Sequence, residues 1–210
     1  MPGHDIIVIG ASAGGIPALQ TIARDLPPDL DAAILVVVHL SPWHESRLAE
    51  ILDRSGPLRA SKVLDSERIM PGRIYVAPPN GHIVIEDGHV EVWHGPRENS
   101  HRPAINPLFR SAALIYGPRV AGVILSGSLD DGTAGLWWIK RQGGVTIVQD
   151  PKTAEHPDMP NSAIQYVDVD YVVPLDKIAV LLAKLVSPKS QPGEPDSKAD
   201  RRVWNPGQST

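Results

Sequence analysis

The chain has 210 residues, of which 42% are hydrophobic, and a formal net charge of −4; that suits one substantial domain and excludes the basic footprint that nucleic-acid binding requires. The absence of cysteine excludes disulfides, thiolate metal sites and cysteine nucleophiles. No apolar stretch approaches the ~18 residues of a membrane span and the opening MPGHD is no signal peptide, so a soluble cytoplasmic protein without membrane insertion is expected.

Ile6 to Ile9 are four consecutive β-branched residues bounded by Gly10, the pattern of a strand covered on both faces. The strand runs into Gly10-Ala11-Ser12-Ala13-Gly14-Gly15, where almost no side-chain bulk surrounds the Ser12 hydroxyl. Ligands and catalytic groups collect at such strand ends, and the following helix offers free N–H groups to negative charge. Three readings stay open for this stretch: a nucleophile, a phosphate-binding turn and a structural turn. Against the second, the glycines do not fit GxGxxG, no phosphate-loop lysine follows, and no acidic residue closes a second strand near residue 38.

Apolar residues at 16, 19, 22, 23 and 26 predict a helix that stops at Pro27-Pro28. Ala33 to Val38 is a second buried strand, and it ends at His39, which a parallel sheet would bring to the same edge as Ser12. A surface or capping histidine is the plainer alternative. Glu45 to Arg54 reads as the covering helix. Arg73 to Ala77, His82 to Glu86 and His89 to Trp93 then alternate, with Asp87-Gly88 marking a hairpin, so an antiparallel appendage is expected.

Residues 94 to 105 form a polar loop that either borders the site or simply connects. Asn106 is placed to cap a helix from Pro107 to about Tyr116. Val120 to Leu125 is a third buried strand, ending in Ser126-Gly127-Ser128-Leu129-Asp130-Asp131-Gly132 before a helix to about Arg141. Either aspartate could do no more than cap that helix. Val145 to Gln149 is a strand, 150 to 161 a loop, Tyr171 to Val173 a short strand and Pro174 to Val186 a closing helix. From Ser187 the composition predicts a disordered tail, 187–210, after one domain over 1–186. The expected fold class is α/β: a doubly wound, mostly parallel sheet, Rossmann-like and three-layered, with an antiparallel β-hairpin appendage.

Three strand ends thus offer a hydroxyl, an imidazole and a carboxylate pair on one sheet edge, the ingredients of a serine hydrolase. Backbone N–H groups of Ala13 and Ser128 are the candidate oxyanion donors. The order Ser, His, Asp differs from the α/β-hydrolase order, and GASAGG is not the GxSxG elbow.

GASAGG, VVVHLSP, PGRIYVAPPNGHIVI, HRPAINPLFRSAA, LSGSLDDGTAGL and VQDPKTAEHPDMP, in that order over about residues 5 to 185, resemble the catalytic domain of CheB-type protein-glutamate methylesterases of chemotaxis. The resemblance implies Ser12 as nucleophile, His39 as base and Asp131, rather than Asp130, as its orienting carboxylate. It implies hydrolysis of glutamate γ-methyl esters on cytoplasmic helices of chemoreceptors, deamidation of receptor glutamines in some members, and no metal or organic cofactor. Arg102 and Met159 fall in motifs beside the family's site, as groove-lining candidates or structural residues.

Two departures bear on rate and substrate range: Ala13 replaces a frequent Thr, and Gly127-Ser128-Leu129 replaces GMG. The catalytic match begins at about residue 5, without the family's N-terminal receiver domain. Phosphorylation control is therefore expected from outside this chain, which is a stand-alone form, a fragment, or a protein regulated in trans by a receiver or methyltransferase partner. A non-catalytic signalling module on the same fold is the alternative.

Overall fold

The structure is a computed structural model that describes residues 3–39 and 45–186; the tail expected over 187–210 lies outside them. In chain order the elements are β1 (Ile6–Ala11), α1 (Gly15–Asp25), β2 (Ala33–Val38), α2 (Leu48–Ser55), β3 (Arg59–Lys62), β4 (Ser66–Arg68), β5 (Arg73–Val76), β6 (His82–Glu86) and β7 (His89–Trp93). There follow α3 (Ile105–Tyr116), β8 (Val120–Ile124), α4 (Thr133–Arg141), β9 (Val145–Gln149), α5 (Asp158–Tyr166), β10 (Tyr171–Val173) and α6 (Leu175–Val186).

Seven strands form one sheet in the order β10-β9-β8-β1-β2-β5-β3, every pairing parallel. All six residues of β1 are buried because the sheet is covered on both faces. Ile7 and Ile9 pack with α1, α2 and α6, whereas Ile6 and Val8 pack with α3, α4 and α5. Burying one such side chain contributes about 1.5–3 kcal/mol, so the alternation binds both helical layers to one strand. The expected three-layer α/β architecture is what the chain adopts.

β1 is where the winding reverses: β2 lies on one side of it and β8 on the other. Open α/β sheets leave a crevice at the carboxyl ends of such strands. The site described below occupies that position.

Four local expectations need correction. Arg73–Val76 does not belong to the antiparallel appendage; it pairs in parallel with β2 and β3 in the main sheet. The small sheet is instead β4-β7-β6, in which Asp87 and Gly88 make the expected hairpin at φ 45° and 78°. A short alternating run does not say which sheet will receive it. Residues 150 to 161 are not all loop: Pro151–Thr153 is a 3₁₀ turn and α5 starts at Asp158. Pro160 stands in the first turn of α5, where its missing N–H has no intrahelical acceptor to lose.

Asn106 does not cap α3, which begins one residue earlier; its side-chain oxygen accepts from the Gly135 N–H at 2.8 Å. The first N–H of α3, at Ile105, is taken by Asp131. The second helix starts at Leu48, not Glu45.

Candidate active site

Ser12 follows β1 directly, and its backbone N–H donates to Ser126 O at 3.0 Å, tying the first strand end to the third. Gly14, at φ 72°, lets the chain turn sharply into α1. A side chain at Gly127 would meet Met159 Sδ and Ser12 Cβ, so the 126–128 turn lies tight against the serine. The Ser126 hydroxyl fixes this arrangement by donating to Ala13 O at 2.8 Å and accepting from the His156 N–H at 2.9 Å.

His39 is the first residue after β2. Its Nδ1 lies 3.1 Å from Ser12 Oγ and its Nε2 lies 2.7 Å from Asp131 Oδ2. The structure therefore brings together the three residues that the strand ends suggested, in a continuous hydrogen-bonded chain. Its polarity follows from chemistry. Asp131 is 2% exposed and its Oδ2 also accepts the Ile105 N–H at 2.7 Å, while Oδ1 accepts from Gly132 N–H and Asn99 Nδ2, each at 3.0 Å.

Burial alone would push the Asp131 carboxyl up, but the bonds from His39, Ile105 and Asn99 outweigh it and hold the group below the ordinary carboxylate range. An ionised carboxylate only accepts, so Nε2 carries the imidazole proton and Nδ1 presents its lone pair to the serine hydroxyl. Asp130 is outside this chain of bonds; its carbonyl accepts from the Thr133 N–H.

Two further side chains reach the site from the 94–104 loop. His101 lies flat on His39, with ring centroids 3.6 Å apart and planes within 5°. Burial, with help from the adjacent His39 ring, lowers the pKa of His101, so it remains neutral where an exposed histidine would begin to charge. Asn99 is the donor to Asp131 Oδ1. Sequence reasoning saw His101 only as one of several polar loop residues and missed Asn99, whose only local signal is its turn propensity.

Arg102 uses its guanidinium within the loops, donating to Asn80 Oδ1 from Nε and Nη2 and to Gly95 O from Nη1. Met159 is fully buried, and its N–H donates to Gly127 O, so it supports the 126–128 turn from beneath. A cavity of about 510 Å³ opens between Asn99, Asp130, Thr133, Trp137, Trp138 and Tyr166. Among the described residues no cluster of side chains suits a metal ion, and no helix is long and apolar enough to cross a membrane.

The catalytic domain of a CheB methylesterase from Thermotoga maritima superposes with a TM-score of 0.83 at 35% identity, over 89% of this chain and 100% of that one. A Leptospira interrogans protein, named provisionally as a protein-glutamate methylesterase/protein-glutamine glutaminase, is 42% identical over 87% of this chain and 95% of its own length. An Anaeromyxobacter dehalogenans protein-glutamate methylesterase/protein-glutamine glutaminase is 38% identical over 86% of this chain, which spans 53% of that longer protein. A parallel α/β sheet with these relatives defines a class, the carboxylic ester hydrolases built on a doubly wound scaffold. Residues 7–182 match the family model of the CheB methylesterases, and the chain belongs to that family.

Proposed function

We propose that this chain is a protein-glutamate methylesterase that hydrolyses γ-methyl esters of glutamate side chains on the methylated cytoplasmic helices of chemoreceptors. The observation that carries this is the hydrogen-bonded chain from Ser12 through His39 to Asp131 at the sheet's reversal point. Ser12 Oγ attacks the ester carbonyl as its proton passes to His39 Nδ1, and Asp131 stabilises the imidazolium that forms. The tetrahedral intermediate collapses when His39 returns the proton to the departing methoxy oxygen, releasing methanol and leaving a glutamyl ester on Ser12. Water then attacks the acyl carbonyl as His39 takes its proton, and the acyl bond to Ser12 Oγ breaks as His39 returns that proton to it, giving glutamate and free Ser12.

The oxyanion is held by the N–H groups of Ala13 and Ser128. Among the described residues neither N–H has a protein acceptor, which leaves both available to a bound oxygen. A side-chain amide fits the same steps with ammonia as leaving group, so glutamine deamidation is a second activity of the one site. Arg102 and Met159 support the walls of the substrate groove rather than touch the ester. The cavity lined by Asn99, Trp137, Trp138 and Tyr166 gives the polypeptide around the ester an aromatic surface to lie on.

The test is methanol release from a methylated chemoreceptor cytoplasmic fragment by the wild type and by Ser12→Ala. We expect release by the wild type and a fall of at least about 10⁴-fold in the variant, the scale of loss when a triad member is removed. Retention of more than a few per cent of activity by a folded Ser12→Ala protein overturns the assignment.

A further inference from the structure

We propose that Asn99 is a positioning residue for the relay, holding the Asp131 carboxylate in the orientation that serves His39; this rests on the reading of Ser12, His39 and Asp131 given above. Asp131 Oδ2 accepts two bonds, from His39 and from the Ile105 N–H. With Oδ2 so held, the rotation of the carboxylate plane is settled by what holds Oδ1. One donor there is the Gly132 N–H, which belongs to the next residue and moves with Asp131 itself. The other is the Asn99 side-chain amide at 3.0 Å, the only side-chain donor to Oδ1 among the described residues, and it arrives from a separate loop.

The amide is also the suitable chemistry. A lysine or arginine there would orient the carboxylate equally well, but its charge would cancel part of the field that stabilises the His39 imidazolium. A neutral donor orients without competing.

The backbone is built to deliver this group. Glu98 and His101 exchange N–H···O bonds of 3.1 and 2.9 Å across a tight turn whose two central residues, Asn99 and Ser100, have φ of 49° and 65°. Positive φ at two successive non-glycine residues is costly and persists only where the surroundings over-determine it. Here they do. Arg110 grips the Glu98 carboxylate with two N–H groups at 3.1 and 3.0 Å, anchoring one side of the turn to α3, and the three bonds of Arg102 anchor the other. The same turn lays His101 on the face of His39, so the exposed Asn99 and the half-buried His101 converge on adjacent members of one relay.

The deciding variant is Asn99→Gly, which accepts the left-handed backbone freely and removes only the amide. The readout is the rate at which a fluorophosphonate probe labels Ser12, followed by intact mass, in the full chain. A hydrogen bond to a charged group corresponds to a loss of roughly ten- to a hundredfold, and we expect labelling to slow within that range with the melting temperature little changed. In an Asp131→Ala background the same substitution should slow labelling no further, because the amide then has nothing to orient. Labelling at the wild-type rate by Asn99→Gly overturns the proposal, and so does an equal slowing in both backgrounds, the mark of a merely structural role. Normal labelling of the wild type without methanol release from receptor fragments counts against the proposed substrate and leaves the role of Asn99 standing.

Discussion

Leu129 has a left-handed backbone, φ 65°, and a side chain that is 69% exposed. It stands in the turn that carries Ser128 and Asp131, at a position where the family pattern GMG has glycine, so the turn keeps a glycine-like conformation without the glycine. For a leucine that conformation costs about 1–2 kcal/mol, and so exposed a side chain returns little through packing. We expect Leu129→Gly to stabilise the fold by ~1 kcal/mol at most, since glycine also loosens the unfolded chain, and to leave turnover close to wild type. That corresponds to a rise of about 2–4 °C in melting temperature. A fall would mean that Leu129 packs on a neighbour in solution. Legibility at this scale follows from local pattern: Ser12, His39 and Asp131 each come at or soon after the end of an apolar run. Asn99 follows Pro96-Arg97-Glu98 and points into the site only because distant residues hold its turn.

The 94–104 loop is closed by a single buried histidine. His82, on β6, has Nε2 2.9 Å from Pro96 O and Nδ1 3.1 Å from the Ala104 N–H, so one neutral ring donates to one end of the loop and accepts from the other. Protonating Nδ1 would forfeit the second bond. Burial lowers the pKa of His82, the Pro96 carbonyl and the charges of Glu98 and Asp131 only partly opposing it. The sign follows: the folded pKa is below the unfolded value of about 6.5, so the unfolded chain takes up the proton first, and this stability is present above that pH and lost as pH falls towards the folded pKa. His101, shifted the same way, adds to the slope. We expect the melting temperature to drop from about pH 7 to about pH 5 and the slope to flatten in His82→Gln, although that protein starts lower; equal slopes would show that His82 does not titrate.

This loop was the least legible element, because its shape is set by β6, α3 and Asp131 rather than by any period of its own. Arg73–Val76 and α5 were misjudged for related reasons. A strand's alternation leaves its partner open, and prolines read as breakers are harmless in a first turn. The long apolar runs of β1, β2 and β8 left no such choice, since only a doubly covered parallel sheet buries them.

Across the whole molecule, the reversal at β1 draws Ser12 and His39 from the amino-terminal part of the chain, and Asn99 and Asp131 from beyond the small sheet. The later residues meet the earlier ones where β8 lies alongside β1, a contact between segments far apart in sequence. Such long-range pairings form late, after local helices and hairpins. On the proposed mechanism, reactivity at Ser12 is thus a report on completed folding. On dilution from denaturant we expect fluorophosphonate labelling to return no sooner than the slowest recovery of tryptophan fluorescence, well after far-ultraviolet ellipticity. A newly made chain would then acquire its esterase chemistry as a final step, and a partly assembled one, however helical, would leave every ester it meets intact.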